Sequence, residues 1–339
     1  MDKAKSIKEI AQLAGVSVAT VSRVINHNGR FSPETERRVR SIIAENEYIP
    51  NMNAKGLRTS RTQVVGIIVP DITNPHFSDL VLKLEMSLFE RGYSSLICNT
   101  NESTELERRH IQSLTAQNVS GIILISGTRD YEELGDLPVI YVDRPSIDLH
   151  ETGIMIESDN EKGGYLATRE LLSQGCRRIL MLKSIGSDCN QLNRYKGYQR
   201  ALAQFGIAEE KRLQVDLGEV TTDAARAIVS GLLDSGLAFD GVMCTTDTIA
   251  AGVVIALREH GLKVPGDILV TGFDDCRIAA MCGPGLTSVR QNVDEMARIA
   301  TELFLRLQRG EPVEHRSYRL PVSLTVRAST RRVGAPQPD

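Results

Sequence analysis

The pattern of apolar and polar positions divides the chain into two parts with different periods. Up to about residue 50, apolar residues such as Ile7, Ile10 and Ala14 recur at helical spacing, which predicts short amphipathic helices. From residue 62, short continuous apolar runs alternate with polar stretches of helix length, a pattern typical of parallel sheets covered on both faces. We therefore predict an α/β protein, with a small all-α head before a core of two doubly wound parallel-sheet subdomains. The predicted strands are 64–69, 95–98, 121–125 and 139–142 in the first group, and 179–182, 241–244 and 268–273 in the second.

Capping signals place the first helices of the head. Ser6, with Glu9 three residues later, matches a capping box, and Ser17 can cap a second helix. Ser32 precedes a proline suited to the first turn of a third helix. Because a glycine-containing turn joins the first two helices, the layout is that of a DNA-reading helix-turn-helix.

The second helix carries the candidate contacts with DNA. Its apolar stripe is Val21, Val24 and Ile25, so the other side chains of its first turns face outward. They are small or hydrogen-bonding, which suits base edges and phosphates in a major groove. These candidates are Ser17, Val18, Ala19, Thr20, Ser22, Arg23 and Asn26.

Charge separates the head from the rest of the chain. Residues 1–61 contain eleven Lys and Arg against six Asp and Glu, a net charge of +5, whereas the whole chain carries −3 and the remainder therefore −8. Counterion release on DNA depends on local positive charge. A charge run is usually only a solvated face, but on a helix-turn-helix it favours DNA binding.

Composition excludes several other classes. At 339 residues, 41% hydrophobic and 24% charged, the chain is typical of globular proteins. It shows no apolar run of membrane-spanning length and no apolar secretory core near the N-terminus, which predicts a cytoplasmic protein with no membrane partner. Its six cysteines lack paired Cys-x-x-Cys spacing and a histidine cluster, so we expect no metal, no cofactor and no disulfide framework.

Polar and aromatic side chains follow the ends of several predicted strands. In open α/β sheets, ligands bind beyond the carboxyl ends of the strands. A single such residue is more often a loop cap, but several that converge on one cleft indicate a ligand site. The chain has no Walker loop, no Gly-x-Ser-x-Gly elbow and no His-Glu-x-x-His, so we predict recognition and not catalysis. The candidates after strand ends are Asn74, His76, Phe77, Asp143, Arg144, Thr246, Asp247, Asp274 and Asp275.

Three segments near the N-terminus carry a family resemblance. VSVATVSRVIN at 16–26, YIPN at 48–51, and Ala54 with Leu57 resemble the lactose-repressor/galactose-repressor (LacI/GalR) family of bacterial transcriptional regulators. The resemblance implies a hinge helix over 51–58, with Leu57 wedged into the minor groove of a palindromic operator. An apolar wedge unstacks base steps and bends the duplex onto more protein. The implied hinge contacts are Asn51, Ala54, Lys55, Leu57 and Arg58.

The resemblance also implies a core like that of periplasmic sugar-binding proteins. Asp143 and Arg144 are similar to a pair that grips sugar hydroxyls, Arg194 and Asp274 match effector-binding positions, and Gln291 falls at a crossover between subdomains. The implied domains are a head at 1–50, a hinge at 51–61, a core at 62–330 and a tail at 331–339. Within the core, the first subdomain is expected at about 62–156 plus 292–317, and the second at about 157–291 plus 318–330.

The effector is predicted to be a sugar such as a pentose. Thr246 stands where many relatives carry Asn, which removes one two-sided hydrogen-bond partner. Val220 stands near where an aromatic residue often closes the pocket, which removes a stacking wall. A nucleobase or a sugar acid stays as the alternative effector, and a transport binding protein or a sugar-active enzyme as the alternative class. Whether the ligand releases or strengthens DNA binding stays open. A head that reads half a palindrome implies a homodimer or a higher oligomer.

We expect Leu57→Ala to weaken specific operator binding, because the wedge acts only where DNA is bent. Fluorescence anisotropy with an operator duplex measures this loss. Sedimentation and ligand titration of the same variant are the controls, and both should match the wild type. Unchanged operator affinity would contradict the wedge.

Overall fold

The computed structural model describes residues 6–25, 27–48, 62–125, 134, 137–144, 153–184 and 189–331. The chain divides into two compact units, Met1–Thr62 and Gln63–Asp339. No helix of the described residues is long and apolar enough to cross a membrane.

The first unit contains three short helices, α1 (Ile7–Leu13), α2 (Val18–Ile25) and α3 (Pro33–Glu45). The capping box predicted for α1 is confirmed, because the Ser6 hydroxyl accepts from the Glu9 N–H while the Glu9 carboxylate accepts from the Ser6 N–H. Thr20 N–H donates to the Ser17 hydroxyl at the start of α2, and Thr35 N–H donates to Ser32 at the start of α3. The predicted caps thus begin all three helices.

A small apolar core joins these helices. The fully buried side chains include Ile10 of α1, Ala14 directly after it, Val21 and Val24 of α2, and Val39 of α3. The stripe predicted from periodicity is therefore the packed face of α2, with Ile25 partly buried against it.

The second unit contains two parallel-dominated sheets, each of six strands within the described residues. The strands of the first sheet are β1 (Val64–Val69), β2 (Ser94–Asn99), β3 (Gly121–Leu124), β4 (Val139–Val142), β5 (Ile154–Ser158) and β11 (Ser317–Leu320). Those of the second are β6 (Ile179–Lys183), β7 (Gln214–Asp216), β8 (Gly241–Cys244), β9 (Leu269–Asp274), β10 (Thr287–Arg290) and β12 (Ser323–Thr325). The first sheet has the order β2-β1-β3-β4-β5-β11 and is parallel throughout. The second repeats that order as β7-β6-β8-β9-β10-β12, with β12 antiparallel to β10.

Helices cover both faces of each sheet. The helices of this unit are α4 (Pro75–Phe89), α5 (Thr104–Ala116), α6 (Asn160–Ser173), α7 (Cys189–Gln204), α8 (Thr222–Asp234), α9 (Asp247–Glu259), α10 (Arg277–Met281) and α11 (Val293–Gln308). Apolar clusters lie on each side of the first sheet, one against α4 and α11 and the other against α5. The second sheet is covered by α8 and α9 on one face and by α6 and α7 on the other.

The chain crosses between the sheets at slightly different places from those predicted. The first crossing follows β5, which ends at Ser158, where the first subdomain was expected to end at about 156. The last crossing follows Leu320, since β11 pairs with β5 in the first sheet, whereas the second subdomain was expected to resume at about 318. The pairing of β5 with the distant strand β11 sets where each subdomain ends. The apolar pattern of the sequence does not reveal this pairing.

Strand β2 was predicted as a buried strand, but it forms an exposed edge of the first sheet. Leu96 is 37% exposed and Ile97 is 50% exposed. On the adjacent helix α4, Leu82, Met86 and Phe89 recur at helical spacing and are 47%, 51% and 68% exposed. Ile97 is on the face of the sheet that α4 covers, whereas Leu96 is on the opposite face. We call Leu82, Met86, Phe89 and Ile97 the α4/β2 apolar surface. A long apolar edge of this kind needs a partner to avoid aggregation.

We expect Gly197→Ala to destabilise the protein by about 1–3 kcal/mol or more, because a Cβ there would lie 2.1 Å from the Glu161 carbonyl oxygen across the α6/α7 contact. The matched control is Gly231→Ala in α8, where a Cβ meets nothing within 4 Å. Its added helix propensity should stabilise the protein by up to about 1 kcal/mol. Urea unfolding of the two variants measures both effects, and equal changes would contradict the close packing.

Candidate functional site

A polar cavity lies at the carboxyl edges of the two sheets. About 310 Å³ of empty space, open solvent included, lies between its side chains. Both sheets have a reversal of strand order, where ligands bind in open α/β folds, and side chains from these edges meet in the cavity. The lining residues are Asn74, His76, Phe77, Asp143, Arg144, Asn190, Gln191, Arg194, Val220, Thr246 and Asp274.

One aspartate from each sheet lines the cavity. Asp143 directly follows β4 and Asp274 ends β9; both are buried, with 2% and 8% exposure. Both have a positive φ, +70° and +109°, a conformation that costs a non-glycine residue free energy and recurs at functional sites. The backbone therefore turns sharply where each carboxylate enters the site.

His76, at the start of α4, connects the two carboxylates. Its Nε2 lies 3.3 Å from Asp143 Oδ1 and 3.3 Å from Gln291 Nε2, and Gln291 in turn donates to Asp274 Oδ1 at 2.9 Å. Burial alone would lower the pKa of His76, but the charges of Asp143 and Asp274 outweigh it and raise this pKa above 6.5, against the opposing charge of Arg194. Burial acts to raise the pKa of Asp143, yet His76 and Arg194 lower it below 3.8.

Arg194 of α7 supplies a buried guanidinium. Its Nε donates to Asn160 Oδ1 at 2.8 Å, and its Nη1 donates to the Thr245 carbonyl at 2.6 Å. The guanidinium carbon lies 3.7 Å from the centroid of the Phe273 ring, and Nη1 lies 3.9 Å from Asp274 Oδ1. These contacts fix the plane of the guanidinium, which can then present paired donors to a ligand.

Arg144 and Phe77 form a second wall of the cavity. The Arg144 guanidinium lies 4.9 Å from the centroid of the Phe77 ring and donates to the carboxylate of Glu102. An apolar ring beside planar hydrogen-bonding groups is typical of sites that orient small polar ligands.

Eight of the ten side chains predicted for effector binding line the cavity, and Asp247 and Gln291 do not. Asp247 is buried in the second subdomain, where it accepts from the Ser288 hydroxyl at 2.6 Å and from the Cys276 N–H at 2.9 Å. Burial and the nearby charge of Asp274 raise the pKa of Asp247 to about 7. Gln291 lies behind the lining and holds Asp274 and His76. Asp275, also a strand-end candidate, lies 2.6 Å from Arg327 and outside the lining.

Sequence reasoning missed two polar lining residues, Asn190 and Gln191. They lie in the first turn of α7 and are 2% and 4% exposed. The spacing to Arg194 offers a signal that could have found them, since residues three and four positions apart share a helix face. Asn74 and Thr246 also cap the N-termini of α4 and α9. Each of them therefore both begins a helix and lines the cavity.

Recognition by hydrogen bonds is the chemistry that these groups offer. Within the described parts of the chain, no cluster of three or more His, Cys, Asp or Glu could hold a metal ion. The carboxylates and the Gln191 amide oxygen accept hydrogen bonds, and the arginines donate them. This combination suits a ligand with several hydroxyl groups.

The predicted DNA-contacting side chains of α2 are mostly exposed. Ser17, Val18, Ala19 and Arg23 are exposed, and Thr20 and Ser22 are half-buried. Asn26 and the hinge residues Asn51, Ala54, Lys55, Leu57 and Arg58 lie outside the described residues.

A helix-turn-helix unit in one chain with a two-sheet core and a polar cavity defines a class of protein, the ligand-responsive DNA-binding regulators. Residues 6–51 match the bacterial regulatory proteins of the lacI family, and residues 168–330 match a periplasmic binding protein-like domain. A ribose operon repressor from Halalkalibacterium halodurans is 32% identical over 329 residues, which cover 96% of this chain and 97% of that protein. The chain belongs to the lacI family of bacterial regulatory proteins.

Solved structures agree with this assignment. The lac repressor dimer bound to operator and the anti-inducer ONPF has a TM-score of 0.85 at 26% identity, covering 97% of this chain and 99% of that one. A periplasmic binding protein/LacI transcriptional regulator from Alkaliphilus metalliredigens, complexed with D-xylulofuranose, has a TM-score of 0.71 at 26% identity and covers 80% of this chain and 100% of that one.

We expect His76 to make the stability of the core depend on pH. Because its pKa is raised in the folded state, its contribution is complete below about pH 6.5 and is lost as the pH rises through the folded-state pKa. The free energy of unfolding of the wild type minus that of His76→Gln should therefore fall as the pH rises above about 6.5 and through the raised folded-state pKa. His315→Gln, at an exposed position before β11, is the control. A difference that stays flat or rises would contradict this sign.

Proposed function

We propose that this protein is a cytoplasmic transcriptional repressor whose operator affinity is controlled by a small sugar bound in the cavity. The observation that carries the proposal is the meeting of Asp143, Asp274 and Arg194 in one buried site that both subdomains line. Buried charges are costly unless they are paired and hydrogen-bonded. A ligand with several hydroxyls can satisfy these groups together.

The cavity lining favours a ligand that donates many hydrogen bonds. The oxygens of Asp143 and Asp274 are acceptors, and Gln191 Oε1 is buried with no donor among the described residues. Each can accept from a hydroxyl, while Arg194 can donate to a ring or hydroxyl oxygen. Phe77 can cover the C–H face of the ring.

A pentose is the sugar that we favour. Val220 lines the cavity where a larger aromatic wall is absent, and Thr246 uses its hydroxyl to accept from the Ile249 N–H. The aliphatic Val220 leaves few stacking surfaces for a nucleobase, and the Thr246 hydroxyl is already engaged as a helix cap. The relative named a ribose operon repressor and the neighbour complexed with D-xylulofuranose support the same choice.

We propose that the protein binds a palindromic operator as a homodimer, with the hinge 51–61 joining the head to the core. The relative bound to operator is a dimer, and one head reads only half of a palindrome. The α4/β2 apolar surface is a suitable interface for a second copy, since four large apolar side chains are exposed there. An isologous contact would place this surface against itself.

The two alternative classes, a sugar-active enzyme and a transport binding protein, receive less support. The matched relatives are regulators, so we do not favour a sugar-active enzyme. A transport binding protein would not need the helix-turn-helix unit. Absence of turnover in a panel of sugars would test the enzyme alternative.

We expect Arg194→Ala to weaken effector binding by about 2–5 kcal/mol, because it removes charge-assisted hydrogen bonds and leaves buried carboxylates uncompensated. Calorimetry with the best ligand from a thermal-shift screen of sugars measures the loss. Operator affinity without ligand should survive, so the variant should bind DNA but no longer respond to its effector.

The matched control for this experiment is Arg200→Ala. Arg200 lies on the same helix, is about half exposed, and pairs with Glu161 at 2.6 Å, so its removal should leave effector affinity unchanged. Thermal unfolding of both variants without ligand shows that each is folded. Equal ligand affinity in the wild type and Arg194→Ala would mean that the cavity is not the effector site.

A further inference from the structure

Glu102 contacts one of the two arginines of the cavity. Nη1 of Arg144 lies 2.9 Å and 2.8 Å from the two carboxylate oxygens of Glu102. The Arg144 side chain is 17% exposed and that of Glu102 is 54% exposed. Glu102 itself does not line the cavity, so the pair lies between the site and solvent.

The fold holds Glu102 in this place. It lies in the loop that leaves β2 at the carboxyl edge of the first sheet, and its N–H donates to the Pro70 carbonyl at 3.1 Å. Asn101 and Glu102 both have positive φ values, +49° and +58°, and Ser103 then caps α5. Two consecutive left-handed residues turn the chain sharply before the helix, and this turn sets the position of the carboxylate.

This contact changes the charge that the cavity presents to a ligand. Asp143 and Asp274 contribute two carboxylates to the lining, and Arg194 lies 3.9 Å from Asp274. Arg144 is the other guanidinium of the lining, and Glu102 places a carboxylate directly on it. A phosphate or carboxylate group on a ligand would therefore compete with Glu102 for Arg144, close to two further negative charges.

We propose that Glu102 is a specificity-determining residue, which makes the site select neutral polyhydroxylated ligands over their phosphorylated or carboxylated counterparts. It acts by engaging Nη1 of Arg144 with both of its carboxylate oxygens, which takes one of the guanidinium donors that would otherwise bind an anion in the paired geometry that suits phosphate. Exclusion by a fixed like charge is a general means of discrimination. The inference rests on the proposed function of the cavity as a sugar site.

The test compares Glu102→Gln with the wild type, since this change keeps the shape of the side chain and removes its charge. D-ribose, D-ribose 5-phosphate and inorganic phosphate are titrated by calorimetry at matched ionic strength. We expect the affinity for D-ribose 5-phosphate relative to D-ribose to rise by about tenfold or more in the variant, as expected for one hydrogen bond between charged groups. The affinity for inorganic phosphate should rise by a similar factor.

Two further variants assign the effect to Arg144. Glu105→Gln is the matched control, because both oxygens of Glu105 pair with one nitrogen, Nη2, of Arg108 at an exposed site on α5. It should change neither the affinity for D-ribose 5-phosphate relative to D-ribose nor the affinity for inorganic phosphate. The double variant Glu102→Gln/Arg144→Gln should lose the increased affinity for D-ribose 5-phosphate and for inorganic phosphate that Glu102→Gln shows.

The outcomes separate this inference from the proposed function. If D-ribose binds but the ratio stays the same in Glu102→Gln, or the double variant keeps the gain, the role of Glu102 is wrong and the sugar site stands. If the wild type binds neither sugar, the pentose proposal fails. Inorganic phosphate then still decides the role of Glu102: a gain in Glu102→Gln that the double variant loses supports it, and equal affinity in all proteins overturns it.

Discussion

The burial of opposite charges in one cleft is the constraint on which the rest of this structure depends. Asp143, Asp274 and Arg194 are each less than a tenth exposed, and an uncompensated charge at such a depth would cost several kcal/mol. Their mutual arrangement requires a close approach of α6 and α7, because a Cβ at Gly164 would lie 2.1 Å from the Arg194 carbonyl oxygen. A small residue in one helix thus sets where the guanidinium enters the site from the other.

The same cleft contains direct contacts between the two subdomains. Asn190 of α7 donates to the Asp143 carbonyl at 3.0 Å. Gln291 directly follows β10, and its Nε2 lies 3.3 Å from Nε2 of His76 in the first subdomain. A ligand that enters the cavity must add to these contacts or rearrange them. A ligand shifts a conformational equilibrium only through different affinity for the two states, and contacts shared by both subdomains are where such a difference can arise.

Local features of the fold could be predicted because neighbouring residues decide them. The caps at Ser6, Ser17 and Ser32 begin helices as expected, since each hydroxyl satisfies an N–H a few residues away. Each of the seven apolar runs predicted to be a strand forms a strand in the structure. Strand β10, with the polar sequence TSVR, gave no such signal, yet it is mostly buried because Ser288 donates to Asp247 and Thr287 bonds to Thr330.

The sequence by itself determined the class of the protein, the head with its outward-facing helix, the α/β core and most of the residues at the strand ends, because these follow from periodicity, local caps and the edge at which parallel strands end. Only the tertiary structure decided that Asp247 bonds to Ser288 and does not line the cavity, and that Glu102 reaches Arg144. Each of these depends on pairs of residues distant in the chain, such as the 42 positions between Glu102 and Arg144. Burial and the competition between partners in space settle such pairs, and no local pattern encodes them.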